Sequence, residues 1–264
     1  MLQLVIPAYN EEGRLPRTLR ELRKHVLASR TLTGRVEVIV VDNASTDATA
    51  ALAREADSPA LPVRVVRCAT PGKGAAVRAG LLATTSDVVG FMDADGATHL
   101  DALEEGLRLL SLGADMAIGS RAVPGSDTEV RHHWMRESGA RAYRACTARV
   151  VPGVRDTQCG FKLMTGWLGR VTARRLRSAG FSFDVELLGL ARAHGARIEE
   201  FPVVWTDVPG STFDPVRHGA SSFAALAMIA WRVRAVAGLP IPVPVPLGPS
   251  MTGSPSLGAM AADV

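Results

Sequence analysis

Asp93-Ala94-Asp95 follows directly on an apolar run, Val88-Val89-Gly90-Phe91-Met92. Two carboxylates one residue apart can share a hard divalent cation, Mg2+ or Mn2+, and present it to the oxygens of a diphosphate. Such an ion stabilises the charge of a departing nucleotide. An acidic turn capping the next helix would use the same residues, so the pair has to be read with its companions. Pro7-Ala8-Tyr9-Asn10-Glu11-Glu12 ends the first apolar run of the chain. It reads as a nucleotide contact or as a plain loop capped by Asn10. Asp42 ends the second run, in Val40-Val41-Asp42-Asn43-Ala44-Ser45-Thr46-Asp47. An aspartate there can accept hydrogen bonds from a base or ribose, while Ser45 or Thr46 would serve equally as a helix cap. Pro71-Gly72-Lys73-Gly74 follows the third run. Its glycines permit close backbone approach and Lys73 offers a point charge, but the spacing is not that of a P-loop.

These groups need a scaffold that brings them to one place, and the pattern supplies it. Strands are expected over residues 2–6, 36–41, 63–67, 88–92 and 116–119, with helices over 12–28, 47–57, 74–83 and 99–111. Continuous apolar strands alternating with helices give a largely parallel sheet covered on both faces. In such a sheet ligands bind at the carboxyl ends of the strands, where all four groups lie. The second half is less regular. Helices are expected near 134–150, 165–178, 183–194 and 221–237, and a strand over 198–205.

The 264 residues fit one large α/β domain, expected over residues 1–237. Residues 238–264, with alternating prolines followed by Gly, Ser and Pro, are expected to form an extended, disordered tail. A net charge of +4 suits an anionic partner such as a nucleotide, a phosphate or a lipid surface. Long basic runs are missing, so nucleic acid is not an expected partner. Three cysteines without a Cys-x-x-Cys spacing read as free thiols in a reducing cytoplasm. No secretory leader and no apolar run of about 18 residues stands out, so any membrane contact is expected to be peripheral, on the cytoplasmic face. His99, His132, His133 and His218 have no metal-ligand spacing.

Residues 5–11 (Val-Ile-Pro-Ala-Tyr-Asn-Glu), 40–47, Gly72-Lys73-Gly74 and 92–96 (Met-Asp-Ala-Asp-Gly) together resemble the family 2 inverting glycosyltransferases of the GT-A fold. Gly119-Ser120-Arg121, Arg155-Asp156-Thr157-Gln158-Cys159-Gly160-Phe161-Lys162 and Phe183-Asp184-Val185-Glu186-Leu187 narrow the likeness. They resemble polyprenyl- and dolichyl-phosphate sugar synthases, most closely the dolichyl-phosphate glucosyltransferase branch. The likeness spans about residues 1–235.

The resemblance implies a Rossmann-like, mostly parallel mixed sheet with helices on both faces and a C-terminal helix. It implies transfer of glucose or mannose from a UDP- or GDP-sugar to a polyprenyl phosphate, with inversion and with Mg2+ or Mn2+. Pro7, Tyr9, Glu11 and Asp42 would hold the nucleoside, and Lys73 and Ala94 would line the donor site. Asp93 and Asp95 would bind metal and diphosphate. Arg121 and Arg131 would meet the acceptor phosphate, with Gln158 orienting substrate. Asp156 would act as base or as an orienting carboxylate. Glu186 reads either as a site residue or as the structural partner of an arginine.

The chain departs from the pattern in three places. Pro209-Gly210-Ser211-Thr212 stands where many relatives carry Gly-Ser-Lys, and Ala97 where some carry glutamine. Arginines also punctuate residues 137–149, an apolar stretch in lipid-using relatives. These departures keep a second acceptor class open, a soluble small molecule of secondary metabolism. The apolar run 223–231, followed by Arg232 and Arg234, reads as an interfacial helix or as one packed on the core. A sugar-phosphate nucleotidyltransferase would show a Gly-rich stretch with arginine and lysine after the first strand, where Pro-Ala-Tyr-Asn-Glu stands. An inactive nucleotide-sugar binding module would have no use for Asp93, Asp95 and Asp156 together.

Overall fold

The computed structural model describes residues 1–129, 146–206 and 215–236. The expected tail at 238–264, Arg131, most of the expected helix at 134–150 and the 209–212 string lie outside the described residues.

Nine strands and seven helices are described in chain order: β1 (Leu2–Ala8), α1 (Leu15–Ala28), β2 (Val36–Asp42), α2 (Thr49–Glu55), β3 (Val63–Arg67), α3 (Lys73–Leu82), β4 (Val88–Phe91), α4 (Ala102–Ser111), β5 (Met116–Ser120), β6 (Asp127–Glu129), β7 (Lys162–Thr165), α5 (Gly166–Arg175), α6 (Phe183–Ala193), β8 (Ile198–Pro202), β9 (Val204–Thr206) and α7 (Pro215–Val236). Seven strands form one sheet in the order β3-β2-β1-β4-β7-β5-β8, and β6 pairs with β9 in a second sheet. The alternation within β1 and β2 explains why both faces are buried. Val5, Ile39 and Val41 face one apolar cluster with α3, α5, α6 and α7. Leu4, Ile6, Val38 and Val40 face the other, with α1, α2 and α4. A sheet sandwiched this way buries both faces of its central strands, which therefore read as largely apolar runs, while the edge strands β3 and β8 carry charged residues.

The expected parallel sheet forms with one exception. β7 runs antiparallel between β4 and β5. It was not expected as a strand, because it is four residues long and opens on a lysine. The expected strand at 198–205 divides. Pro202 ends β8 because proline has no N–H to give the ladder. Val203 still donates to the Ser120 carbonyl at 3.2 Å, and its own carbonyl accepts from Asp127 N–H at 3.2 Å, which carries the chain from one sheet into the other. Helix α1 starts at Leu15 rather than residue 12, with Pro16 in its first turn, where a missing N–H costs nothing. Its Leu15, Leu19, Leu22 and Val26 are buried at helical spacing.

Candidate active site

The turns after β1 and β2 are stitched together by side chains. Asn10, at φ 52°, accepts from Thr46 N–H at 2.9 Å through Oδ1. Its own N–H donates to Ser45 Oγ at 3.1 Å. Glu11 N–H donates to Thr49 Oγ1 at 2.7 Å, and Glu12 Oε2 accepts from Ala48 N–H at 3.0 Å. Glu12 is therefore committed to the neighbouring loop, which is why the helix starts after it. Asn43 joins the third loop to these two. Its Nδ2 donates to the carbonyls of Cys68 (3.2 Å) and Thr70 (2.6 Å), and its Oδ1 accepts from Gly72 N–H (2.8 Å).

Gly72 has φ +117°, and a Cβ there would strike the carbonyl of Ala179. Lack of a side chain thus lets the segment after α5 lie against the N-terminus of α3. That segment is held from below by Glu186, fully buried, whose Oε2 accepts from Arg177 N–H (3.2 Å) and Ser178 N–H (2.6 Å). Oε1 of Glu186 faces Arg232 of α7 at 3.4 Å. Of its two readings, Glu186 takes the arginine-paired one.

These loops and the end of β4 enclose a cavity of about 530 Å³. Its wall takes in Pro7, Tyr9, Glu11, Lys73, Asp93, Ala94 and Asp95, so seven of the eight expected donor and metal residues meet there. Asp42 lies just behind the wall. It is buried, and its Oδ1 accepts from Ser45 N–H at 3.0 Å, which shapes the turn that brings Asn43 and Ala44 forward. Asn43 and Arg14 also line the cavity and were not singled out from sequence. Arg14 pairs with both carboxylate oxygens of Glu11 at 2.7 Å. The signal was available in its position, three residues after Glu11 and so one turn away.

The cavity is acidic at its floor. Lys73 Nζ lies 2.5 Å from Asp93 Oδ1. Burial works against the Lys73 charge, but the attraction of Asp93 and Asp184 outweighs it and raises the ammonium's pKa. The Asp95 carboxyl is pushed up, first by burial and then by repulsion from Asp93. Glu11 is also raised, by burial, against the pull of Arg14. A carboxyl whose ionisation is opposed by burial and by a neighbouring carboxylate, as at Asp95, is one that a hard divalent cation relieves. Asp95 Oδ1 accepts from Ala97 N–H at 3.0 Å. Among the described residues no cluster of three or more His, Cys, Asp or Glu side chains suits a metal. An ion held here would take its remaining ligands from the diphosphate and water.

Asp156, Arg121 and Gln158 do not line this cavity; Asp156 and Arg121 pair with each other outside its wall. Arg121 donates to Asp156 from Nε (2.8 Å), Nη2 (3.1 Å) and its backbone N–H (3.0 Å). Its guanidinium also stacks 5.4 Å from the Trp205 ring centre. Burial opposes ionisation of Asp156, yet the bonds and charge of Arg121 outweigh it and hold the carboxyl below its usual range. Arg121 is raised in turn. Gln158 N–H donates to Asp156 Oδ1 at 3.2 Å, closing the turn. The same loop reaches the acidic floor at Gly160, where a Cβ would overlap the Asp93 carboxylate.

A mostly parallel sheet with an acidic rim of this kind is the architecture of the nucleotide-sugar transferases of the GT-A fold, and the comparisons agree. The sequence matches the family "Glycosyl transferase family 2" over residues 3–168, and the chain belongs to that family: it is a glycosyltransferase. It is 36% identical to the dolichyl-phosphate beta-glucosyltransferase of Drosophila melanogaster over 89% of this chain and 78% of the relative. With the enzyme of the same name from Dictyostelium discoideum it shares 34% identity over 81% of this chain and 69% of the relative. In fold it is similar to glucosyl-3-phosphoglycerate synthase from Mycobacterium tuberculosis, solved with Mn2+ and UDP-glucose. That match has a TM-score of 0.62 and 20% identity, over 89% of this chain and 79% of that one.

Proposed function

We propose that the chain transfers glucose from UDP-glucose to a polyprenyl phosphate, with inversion and with a divalent ion at Asp93 and Asp95. The observation that carries this reading is the Asp93–Asp95 pair in the cavity wall, with Lys73 on Asp93 and with the loop of the Arg121–Asp156 pair meeting Asp93 at Gly160. The names of the curated relatives support glucose as the sugar and dolichyl phosphate as the acceptor class. A bound Mg2+ or Mn2+ would neutralise the diphosphate and favour its departure.

The chain's own residues do the rest. Glu11, Asn43 and the exposed ring of Tyr9 offer a nucleoside hydrogen-bond partners and an aromatic face. Lys73 adds a cation beside the leaving diphosphate. An acceptor phosphate oxygen forms the new bond to the anomeric carbon as the bond to the diphosphate breaks. A phosphate monoester is already largely dianionic at neutral pH, with a second pKa of about 6, so the step needs no strong base. The low carboxyl of Asp156 and its bonds to Arg121 suit an orienting and electrostatic role. Positioning and charge stabilisation then carry the catalysis.

For a lipid acceptor the enzyme has to reach a bilayer surface. Among the described residues no helix is long and apolar enough to cross a membrane. Helix α7 exposes Met228 (51%) and Trp231 (67%), with Arg234 in its last turn, which fits shallow contact with an anionic cytoplasmic membrane face. The test is radiolabelled transfer from UDP-glucose and GDP-mannose to a short polyprenyl phosphate, with Mn2+ or Mg2+. Glucose in the lipid phase, and none after chelation, is the expected result. Donor binding without transfer to lipid, together with no sedimentation on anionic vesicles, would move the assignment to a soluble acceptor.

A further inference from the structure

Lys162 is fully buried, and its ammonium touches three things. It donates to Asp184 Oδ1 at 2.6 Å and to the Cys159 carbonyl at 2.7 Å, and it lies 5.3 Å from the centre of the Phe91 ring. Asp184, 3% exposed, stands in the first turn of α6. A buried ion pair of this kind gives little net stability over well-packed apolar side chains, because desolvating two charges offsets their attraction. What it does fix is geometry. The carbonyl it holds belongs to the residue immediately before Gly160, and Gly160 is the point where the loop carrying Asp156 meets the Asp93 carboxylate. The pair therefore ties β7 and α6 to the turn that sets the acceptor side of the site against the donor side.

We propose that Lys162 and Asp184 are positioning residues for transfer: through the Cys159 carbonyl they hold the 156–160 loop at the spacing from Asp93 that the reaction requires. Neither touches substrate. The inference rests on the reading of Asp93 as a donor-side ligand, and it gives a role to the pairing of Lys162 and Asp184, which stand in two separate sequence strings.

The experiment replaces the pair by neutral side chains in the full chain, as Lys162→Met with Asp184→Leu and, for closer shape, Lys162→Met with Asp184→Asn. Three quantities are read: thermal midpoint, kinetics with UDP-glucose, and hydrogen exchange of the 156–161 backbone. With the midpoint near that of the parent, kcat is expected to fall about 10- to 100-fold, the scale of an ångström-size misplacement, while KM for UDP-glucose changes by less than about threefold. Exchange across 156–161 speeds up, and exchange in β1 does not. A merely structural pair would instead lower the midpoint and leave kcat per folded molecule intact. Unchanged protection of 156–161 in either double variant overturns the proposal, even if the parent proves to use a different sugar or acceptor. So does parental kcat in a folded double variant. Absence of any transfer by the parent would bear on the proposed function, while the exchange measurement still decides this inference.

Discussion

Lys73 Nζ lies 2.5 Å from Asp93 Oδ1, so a side-chain cation already rests on one of the two carboxylates proposed to bind a metal. The ammonium and an incoming divalent ion would compete for the same negative charge. Lys73→Met is therefore expected to tighten Mn2+ binding in the absence of nucleotide by roughly 10-fold, equivalent to about 1.4 kcal/mol. Affinity for UDP-glucose and kcat should both fall, because a cation near the leaving diphosphate is lost. Calorimetric Mn2+ titration of the nucleotide-free variant checks the first part. Equal Mn2+ affinity in parent and variant would mean that Lys73 and the metal do not share Asp93.

The Arg121–Asp156 pair leads to a pH argument. Because Asp156 is depressed in the folded chain, the stability it contributes is fully present above the ordinary carboxylate pKa and is lost as pH falls through the folded value. At neutral pH it is ionised and stays so. If it orients rather than accepts a proton, the acid limb of kcat/KM follows the acceptor phosphate, with a pKa of about 6. Asp156→Asn should lower kcat about 100-fold or more and leave that limb in place in the residual activity. A limb that disappears in the asparagine variant would identify Asp156 as the base instead. Removing one partner of this partly buried pair should also destabilise the fold, by about 1–3 kcal/mol, visible in denaturant unfolding.

His194 makes a separate prediction about stability. It is buried at the end of α6, its ring 6.1 Å edge-on from Trp167, and neither ring nitrogen has a hydrogen-bond partner among the described residues. Burial lowers its pKa, and nearby Arg175 lowers it further. The unfolded chain therefore binds a proton that the folded chain resists. Stability is full above the unfolded histidine pKa of about 6.5 and declines as pH falls toward the folded value. His194→Phe should remove this part of the pH dependence. Urea midpoints at pH 7.5 and 5.5 are expected to lie closer together in the variant than in the parent, and an unchanged gap would rule His194 out as its source.

How much of this was legible beforehand follows from burial. Strands β1, β2 and β4 lie inside the sandwich, so their sequences are mostly apolar, while the edge strand β3 carries Arg64 and Arg67; the polar residues that follow the strands gather at one edge of the sheet. That is why Tyr9, Lys73, Asp93 and Asp95 were expected at one sheet edge, and they line one cavity there. β7 escaped because a fully buried lysine opens it, and a charged residue in the core contradicts the pattern by which cores are recognised. Its role became visible only when Asp184, 22 positions away, was found at its ammonium. Asn43 escaped for a related reason. Asp42 beside it has the more obvious chemistry, yet the asparagine reaches the cavity wall and ties three loops together. Adjacent residues at a strand end point in different directions, and the sequence does not say which one the turn brings forward.

Gly160 allows the most direct test of whether the two halves of the site belong together. Nothing in the sequence marks this glycine as a donor-site residue, yet it leaves room for the Asp93 carboxylate, and a methyl group there would overlap it. In Gly160→Ala either the loop retreats, taking Asp156 with it, or Asp93 rotates away from Lys73. Overpacking of this kind costs about 1–3 kcal/mol, which a fold of this size should survive. The expected signature is a folded protein with a lower thermal midpoint, Mn2+-dependent UDP binding weakened about 10-fold or more, and kcat reduced further still. Circular dichroism and calorimetry with UDP and Mn2+ read these outcomes separately. Native UDP affinity and native turnover in a folded Gly160→Ala protein would show that the acceptor-side loop and the Asp93–Asp95 pair act independently, and the proposed arrangement of the site would fall with that result.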